Sequence, residues 1–149
     1  MQILVDADSC PKAAREMILR FSSRLKVKTI FAANRIIPKL PEWASMELCP
    51  PGAGEADRRI VELARPGDLV ITRDLPLAEI LVDADISVLD DRGRLFTKEN
   101  INELRSIRDF TVNLAENGLG VERITSYGRN ELKNLANGLD RELSRLRSP

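Results

Sequence analysis

The chain has 149 residues, which is enough for one domain with a core of its own. Its 23 Lys and Arg balance its 23 Asp and Glu, so the net charge of zero argues against a surface that is basic throughout and binds nucleic acid everywhere. The sequence contains no histidine, which excludes a Ser-His-Asp triad, a histidine general base and a histidine-ligated zinc site.

The cysteines and the hydropathy pattern indicate a cytoplasmic protein. Cys10 and Cys49 lack the Cys-x-x-Cys spacing, and we expect both to be reduced thiols. The N-terminal residues do not resemble a signal peptide, and no apolar run approaches the ~20 residues of a membrane span. We therefore expect a cytoplasmic location and no membrane partner.

The first 90 residues alternate between short apolar runs and amphipathic segments. The apolar runs predict strands, in chain order, over 2–5, 27–33, 46–49, 69–72 and 86–89. The segments between them predict helices with apolar positions from Ala14 to Leu25, over about 55–64, and over 76–82. Ser9 is expected to cap the first helix and Pro11 to lie in its first turn. This alternation predicts an α/β fold, a three-layer α/β/α sandwich with a mainly parallel central sheet.

The pattern after Gly93 is helical. One helix is marked by apolar residues from Ile101 to Leu114 and is expected to end near Gly118 and Gly120. A second is marked by Leu132, Leu135, Ala136, Leu139, Leu143 and Leu146. We expect a single domain over 1–149 with a helical extension from about residue 98. The C-terminal helix is expected to pack on the domain, and its apolar spacing also makes it a candidate homodimer seam.

Acidic residues follow three of the predicted strands. Asp6 and Asp8 follow the first strand, Asp74 follows the fourth, and Asp90 and Asp91 follow the fifth. Sites in open parallel sheets form beyond the carboxyl ends of the strands, where these acids would gather. Two carboxylates ~5 Å apart repel by roughly 3 kcal/mol at an effective dielectric near 20. Such a cluster favours raised pKa values or a hard cation, and oxygen ligands without histidine indicate Mg²⁺ or Mn²⁺.

Asp57 adds a fourth element to this cluster. It precedes Ile60, Val61 and Ala64 at helical spacing, so it lies on or beside the inward face of its helix. A helix-dipole acid in the first turn is the alternative interpretation of Asp57. Other acids have simpler explanations. Asp8 could cap the first helix, and Asp68 precedes its strand, which makes it a turn residue at the opposite edge of the sheet.

Several blocks of the sequence resemble the YaiI/YqxD family of bacterial proteins. The first is the Val-Asp-Ala-Asp-Ser-Cys-Pro of residues 5–11, and the longest is Gly-Asp-Leu-Val-Ile-Thr-Arg-Asp-Leu-Pro-Leu-Ala at 67–78. Shorter matches are Ala33-Asn34, Ala56-Asp57 with Ile60-Val61, Arg92-Gly93, Asn100-Ile101, Arg108-Asp109-Phe110 and Ala136-Asn137 with Leu139-Asp140. The resemblance implies a PIN-like domain, a superfamily whose better-known members are metal-dependent ribonucleases. It also implies that Asp6, Asp8, Asp57 and Asp74 form the acidic pocket.

Two functions remain open from the sequence. The first is a metal-dependent phosphodiesterase acting on RNA, in which Asn34 and Thr72 orient water or phosphate and Arg73, Arg92 and Arg108 contact phosphate. The second is a non-catalytic module that binds RNA or a protein and keeps the acidic pocket as a relic. Gly54, where the family often carries an acid, and the near-zero charge favour the second. The Asp6-x-Asp8 pattern is also similar to haloacid-dehalogenase phosphatases, but their second acidic motif follows a strand, whereas Asp68 precedes one.

Overall fold

The computed structural model describes residues 1–116 and 127–148, and within them five parallel strands form one sheet. The strands are β1 (Gln2–Asp6), β2 (Lys28–Ala33), β3 (Ala44–Leu48), β4 (Leu69–Ile71) and β5 (Ser87–Leu89). Their order in the sheet is β3-β2-β1-β4-β5, and every neighbouring pair is parallel. The sheet confirms the predicted parallel arrangement and makes β1 and β4 direct neighbours.

Helices cover both faces of this sheet. In the described residues they are α1 (Lys12–Leu25), α2 (Glu55–Leu63), α3 (Leu75–Asp83), α4 (Lys98–Glu116) and α5 (Arg129–Arg147). Helices α1 and α5 share one apolar cluster with the sheet, and α2, α3 and α4 share the other. The protein is therefore an α/β fold with three layers, as the alternating pattern predicts.

Side chains alternate between these two clusters along each strand. In β1, Ile3 and Val5 join the cluster of α1 and α5, whereas Leu4 joins the cluster of α2, α3 and α4. Because both faces are covered, the central strands β1 and β4 contain continuous apolar runs. Helix α5 contributes Leu135, Leu139 and Leu143, all fully buried, which confirms that it packs on the rest of the chain.

Three details of the sequence interpretation differ from the structure. After β1 the chain first makes a short 3-10 turn over Ala7–Ser9, so Ser9 does not cap α1. Pro11 is the N-cap residue of α1 and does not lie in its first turn, because the helix begins only at Lys12. Strand β3 begins at Ala44, earlier than expected. The predicted helix end near Gly118 and Gly120 lies outside the described residues.

Connections from the two central strands run to opposite faces of the sheet. The chain leaves β1 towards α1 on one face and leaves β4 towards α3 on the other. The carboxyl ends of β1 and β4 therefore mark the switch point of the sheet, and the crevice at such a point is where ligands bind in open α/β sheets. Across the described ranges, no helix combines the length and apolar character needed to cross a membrane.

Candidate active site

Three carboxylates from separate elements meet at the crevice between β1 and β4. Asp6 is the last residue of β1, Asp74 is the N-cap residue of α3 just beyond β4, and Asp57 lies in the first turn of α2. We call the side chains of Asp6, Asp57 and Asp74 the acidic cluster. After burial, the charges of Asp74 and Asp6 contribute to the raised pKa of Asp57, so the three carboxyl groups lie near one another.

A buried threonine fixes the spacing within the acidic cluster. The Thr72 hydroxyl donates a hydrogen bond to Asp6 Oδ2 at 2.9 Å and accepts one from the backbone N–H of Asp74 at 3.0 Å. The Thr72 side chain is buried, so its proton and one lone pair are used inside the protein. The structure thus gives Thr72 a positioning role between two acids, where the sequence suggested contact with water or phosphate.

Asp74 has two roles at once. Its Oδ1 accepts a hydrogen bond from the backbone N–H of Leu77 at 2.9 Å, which caps the N-terminus of α3. The same side chain lies beside that of Asp57, whose pKa it helps to raise. A cation bound between the two carboxyl groups would relieve their repulsion.

The pKa values of Asp6 and Asp57 are raised by burial and by repulsion from neighbouring carboxylates. Burial is the largest cause for Asp57, followed by the charges of Asp74 and Asp6 and the hydrogen bond to Asp74, and together they raise its pKa to about 6. Burial is also the main reason that the pKa of Asp6 is raised, and the hydrogen bond from Thr72 opposes it. The charges of Asp74 and Asp8 raise the pKa of Asp6 further.

Asp8 lies at the rim of the crevice and faces the end of β2. Its two oxygens accept the backbone N–H of Asn34 at 3.0 and 3.3 Å. The alternative interpretation of Asp8 as the cap of α1 is wrong, because α1 has no side-chain cap. The Asn34 side chain is exposed, and what the structure records for this residue is the bond from its backbone to Asp8.

The donor set of this site is chemically suited to a hard divalent cation, but its side chains are not arranged as a finished metal site. All candidate ligands are carboxylate oxygens, which suit Mg²⁺ or Mn²⁺. Within the described ranges, no three acid or cysteine side chains are grouped as metal ligands. Asp8 accepts the backbone N–H of Asn34, and Asp74 accepts that of Leu77. Metal binding would therefore require these side chains to rearrange.

The acids that follow β5 do not join the acidic cluster. Asp91 is buried and forms an ion pair with Arg73, with 2.6 Å between Nε and Oδ2. Asp90 closes the following turn, because its Oδ1 accepts the backbone N–H groups of Arg92 and Arg94 at 2.9 Å each. The sequence grouped Asp90 and Asp91 with the other strand-end acids, and their partners show that both stabilise the local structure.

Asp68 lies at the opposite edge of the sheet, as the sequence predicts. It is buried, and its carboxylate accepts hydrogen bonds from the backbone N–H and side-chain amide of Gln2, both at 3.2 Å. It also accepts the backbone N–H of Arg65 at 2.9 Å. Asp68 thus joins the turn before β4 to the start of β1. The Asp68 carboxylate therefore has a structural role.

The arginines proposed as phosphate contacts occupy two different positions. Arg73 and Arg92 lie beside the crevice, in the connections that follow β4 and β5. Arg108 is exposed on α4. Arg94 shares the turn with Arg92 and was missed by the sequence interpretation. The Arg-Gly-Arg pattern at 92–94, in the turn that follows β5, could have revealed it, since it places two guanidinium groups in one turn.

Comparison with known proteins identifies the family. The sequence model described as "Uncharacterized BCR, YaiI/YqxD family" matches residues 4–145. A UPF0178 protein from Treponema denticola is 46% identical over 145 residues, which cover 97% of this chain and 93% of the relative. Another from Myxococcus xanthus is 45% identical over 148 residues, covering 98% and 96%. No solved structure matches the chain. The family match over nearly the whole length and the identity to both relatives show that this chain belongs to the YaiI/YqxD family.

Proposed function

We propose that this protein is a divalent-metal-dependent phosphodiesterase that cleaves RNA at the acidic cluster. The observation that carries the proposal is the meeting of three carboxylates from β1, α2 and the start of α3 at one crevice. Folding buries Asp57 in part and brings these negative charges together, and both effects raise the pKa of Asp57 to about 6. A bound divalent cation would relieve that repulsion, so the arrangement suits a metal-binding site.

Each residue of the site takes a definite role in this proposal. Asp6, Asp57 and Asp74 would hold Mg²⁺ or Mn²⁺, and Asp8 would be a further ligand if it released the backbone of Asn34. The chemistry that such a cation would supply is activation of water and neutralisation of charge on the phosphate. Thr72 keeps Asp6 and the backbone of Asp74 in register.

The substrate-binding side of the proposal uses the groups around the acidic cluster. The guanidinium groups of Arg73 and Arg92 bind phosphate, because their planar N–H donors match its oxygens. The Asn34 side chain, exposed at the end of β2, orients water or phosphate. With a net charge of zero, the protein would bind RNA through these local groups and not through a basic surface.

We propose RNA as the substrate and the cytoplasm as the location, each for one reason. The PIN-like superfamily that the family motifs resemble includes metal-dependent ribonucleases, so RNA is the substrate class to test first. Both cysteines are free and buried, which agrees with the cytoplasm, where thiols stay reduced.

A non-catalytic role has one specific observation in its favour. In the part of the chain that the structure describes, no three potential ligands are grouped as a metal site. If the acidic cluster never binds a cation, the domain would act as a binding module for RNA or a protein. The two functions differ in one measurable property, which is whether divalent cations make the protein cleave RNA.

The test is cleavage of a mixed-sequence single-stranded RNA with Mn²⁺ or with EDTA. We expect cleavage only with the cation, and a loss of at least ~100-fold in Asp6→Asn and Asp74→Asn, since changes even to groups supporting a metal ligand cost 10–100-fold. Asp74→Asn keeps a good N-cap for α3, so folding is preserved. No Mn²⁺-dependent cleavage by the wild type, or equal cleavage by the Asp6→Asn variant, would favour the binding module.

A matched control comes from the sequence itself. The hexapeptide Ile-Leu-Val-Asp-Ala-Asp occurs at residues 3–8, where it forms the end of β1, and again at 80–85, where it ends α3. Asp83 corresponds in this repeat to Asp6 but is exposed and lies outside the acidic cluster. The Asp83→Asn variant should therefore cleave RNA like the wild type.

A further inference from the structure

A cavity of about 220 Å³ lies beside the acidic cluster, on the β5 side of the crevice. Its polar wall contains the three arginines Arg73, Arg92 and Arg94. Its apolar wall contains Leu75, Phe96 and Leu104. Arg73 directly precedes Asp74 in the chain and Leu75 directly follows it, so the cavity adjoins the acidic cluster.

The balance of charge in this cavity is positive. The carboxylates of Asp90 and Asp91 also line the cavity, and both already have partners within the protein. Asp91 forms an ion pair with Arg73, and Asp90 accepts hydrogen bonds from two backbone N–H groups of its own turn. The ion pair with Asp91 uses one of the five N–H donors of the Arg73 guanidinium. Among the described residues, neither Arg92 nor Arg94 forms an ion pair through its side chain. The cavity thus offers guanidinium groups to an anion.

The turn that carries Arg92 and Arg94 is held rigidly. Besides the two hydrogen bonds to the Asp90 carboxylate, the Asp90 N–H donates to the Arg94 carbonyl at 3.0 Å. Gly93 has a φ of +80° and packs so closely on α5 that a Cβ would lie 2.0 Å from the Asn134 carbonyl oxygen. A turn fixed in this way loses little conformational entropy when a ligand binds.

The geometry points to a subsite for one nucleotide of an RNA strand. We propose that Arg92 and Arg94 bind a phosphate group next to the scissile bond, with the adjoining ribose against Leu75 and Leu104. The cavity is smaller than the ~300 Å³ at which pockets begin to enclose a drug-sized molecule, so it fits a sugar phosphate and leaves the rest of the strand outside. This subsite rests on the proposed function, because it takes RNA as the substrate.

The test measures RNA binding without any divalent cation. The probe is a fluorescein-labelled, ten-nucleotide single-stranded RNA, titrated in EDTA and followed by fluorescence anisotropy. We expect the double variant Arg92→Gln, Arg94→Gln to bind roughly ten- to hundredfold more weakly than the wild type, as for the loss of a hydrogen bond to a charged group. Affinity falls as the salt concentration rises, so a plot of log affinity against log salt has a negative slope. The magnitude of this slope should be smaller in the variant by roughly 0.7 for each phosphate that it no longer neutralises.

Two controls separate this subsite from folding and from the metal centre. Arg20→Gln removes one exposed arginine from α1, on the opposite face of the sheet, and should leave affinity and salt slope unchanged. Asp83→Asn, which removes an exposed carboxylate outside the acidic cluster, should also bind RNA in EDTA like the wild type. EDTA itself keeps the metal centre out of the assay. Wild-type binding by a correctly folded Arg92→Gln, Arg94→Gln variant would overturn the subsite, as would the absence of RNA binding by the wild type. A failed metal centre alone would leave this binding in place.

Discussion

Replacing Asp57 with Asn should stabilise the metal-free protein near pH 8, although the residue belongs to the candidate site. Burial, followed by the charge of the neighbouring Asp74, raises the pKa of Asp57 to about 6, so Asp57 would be charged near pH 8. At roughly 4 Å and an effective dielectric near 20, two full charges repel by about 4 kcal/mol. Asp57 is only half-buried, so solvent screening reduces the expected gain in the free energy of unfolding to about 1 kcal/mol.

Urea unfolding, followed by the fluorescence of Trp43, the single tryptophan, measures this effect. In EDTA at pH 8 the Asp57→Asn variant should unfold at higher urea than the wild type. With Mn²⁺ at ~100 times its dissociation constant, the wild type should gain about 2.7 kcal/mol and the variant much less. Asp83→Asn should behave like the wild type in both conditions. If Asp57→Asn destabilises the protein in EDTA, or gains as much from Mn²⁺, the argument from repulsion is refuted.

Three further predictions follow from the same contacts. The free energy of unfolding of the metal-free protein should fall as pH rises from about 4 to 6, because Asp57 keeps its proton up to about pH 6 only in the folded protein. Urea unfolding across this range should show a weaker dependence of the free energy of unfolding on pH for Asp57→Asn. Asp68→Asn should lower the free energy of unfolding by about 1–3 kcal/mol, because an amide cannot accept all three N–H groups there, yet calorimetry should show unchanged Mn²⁺ binding. Gly138→Ala should lower the melting temperature and cost about 1–3 kcal/mol, since its Cβ would lie 2.6 Å from the Gly93 carbonyl oxygen.

The sequence predicts the layers and most of the acidic cluster because both follow local rules. Strands buried on two faces are apolar runs, and acids directly after such runs lie at the carboxyl edge of a parallel sheet. Asp6 and Asp74 follow from this rule, and Asp57 follows from its place on the inward face of α2. The same rule wrongly included Asp90 and Asp91, because strand ends alone do not reveal which acids have a cation or a turn as partner.

Contacts between distant parts of the chain could not be predicted. The hydrogen bond from Thr72 to Asp6 joins residues 66 positions apart, and only the pairing of β1 with β4 brings them together. Glu142 is fully buried on the inward face of α5, which its apolar pattern does not indicate. The structure explains it by an ion pair with Arg145 at 2.8 Å, and Arg145 also donates to the Ser87 hydroxyl at 2.7 Å.

The most direct test of the central claim is a crystal structure of the wild-type protein soaked in Mn²⁺, with anomalous scattering measured to locate the ion. The account predicts an anomalous peak in the crevice between β1 and β4, with carboxylate oxygens of Asp6, Asp57 and Asp74 at about 2.0–2.6 Å from it. An acidic cluster without a peak at saturating Mn²⁺ would contradict the metal centre and leave the protein as a binding module.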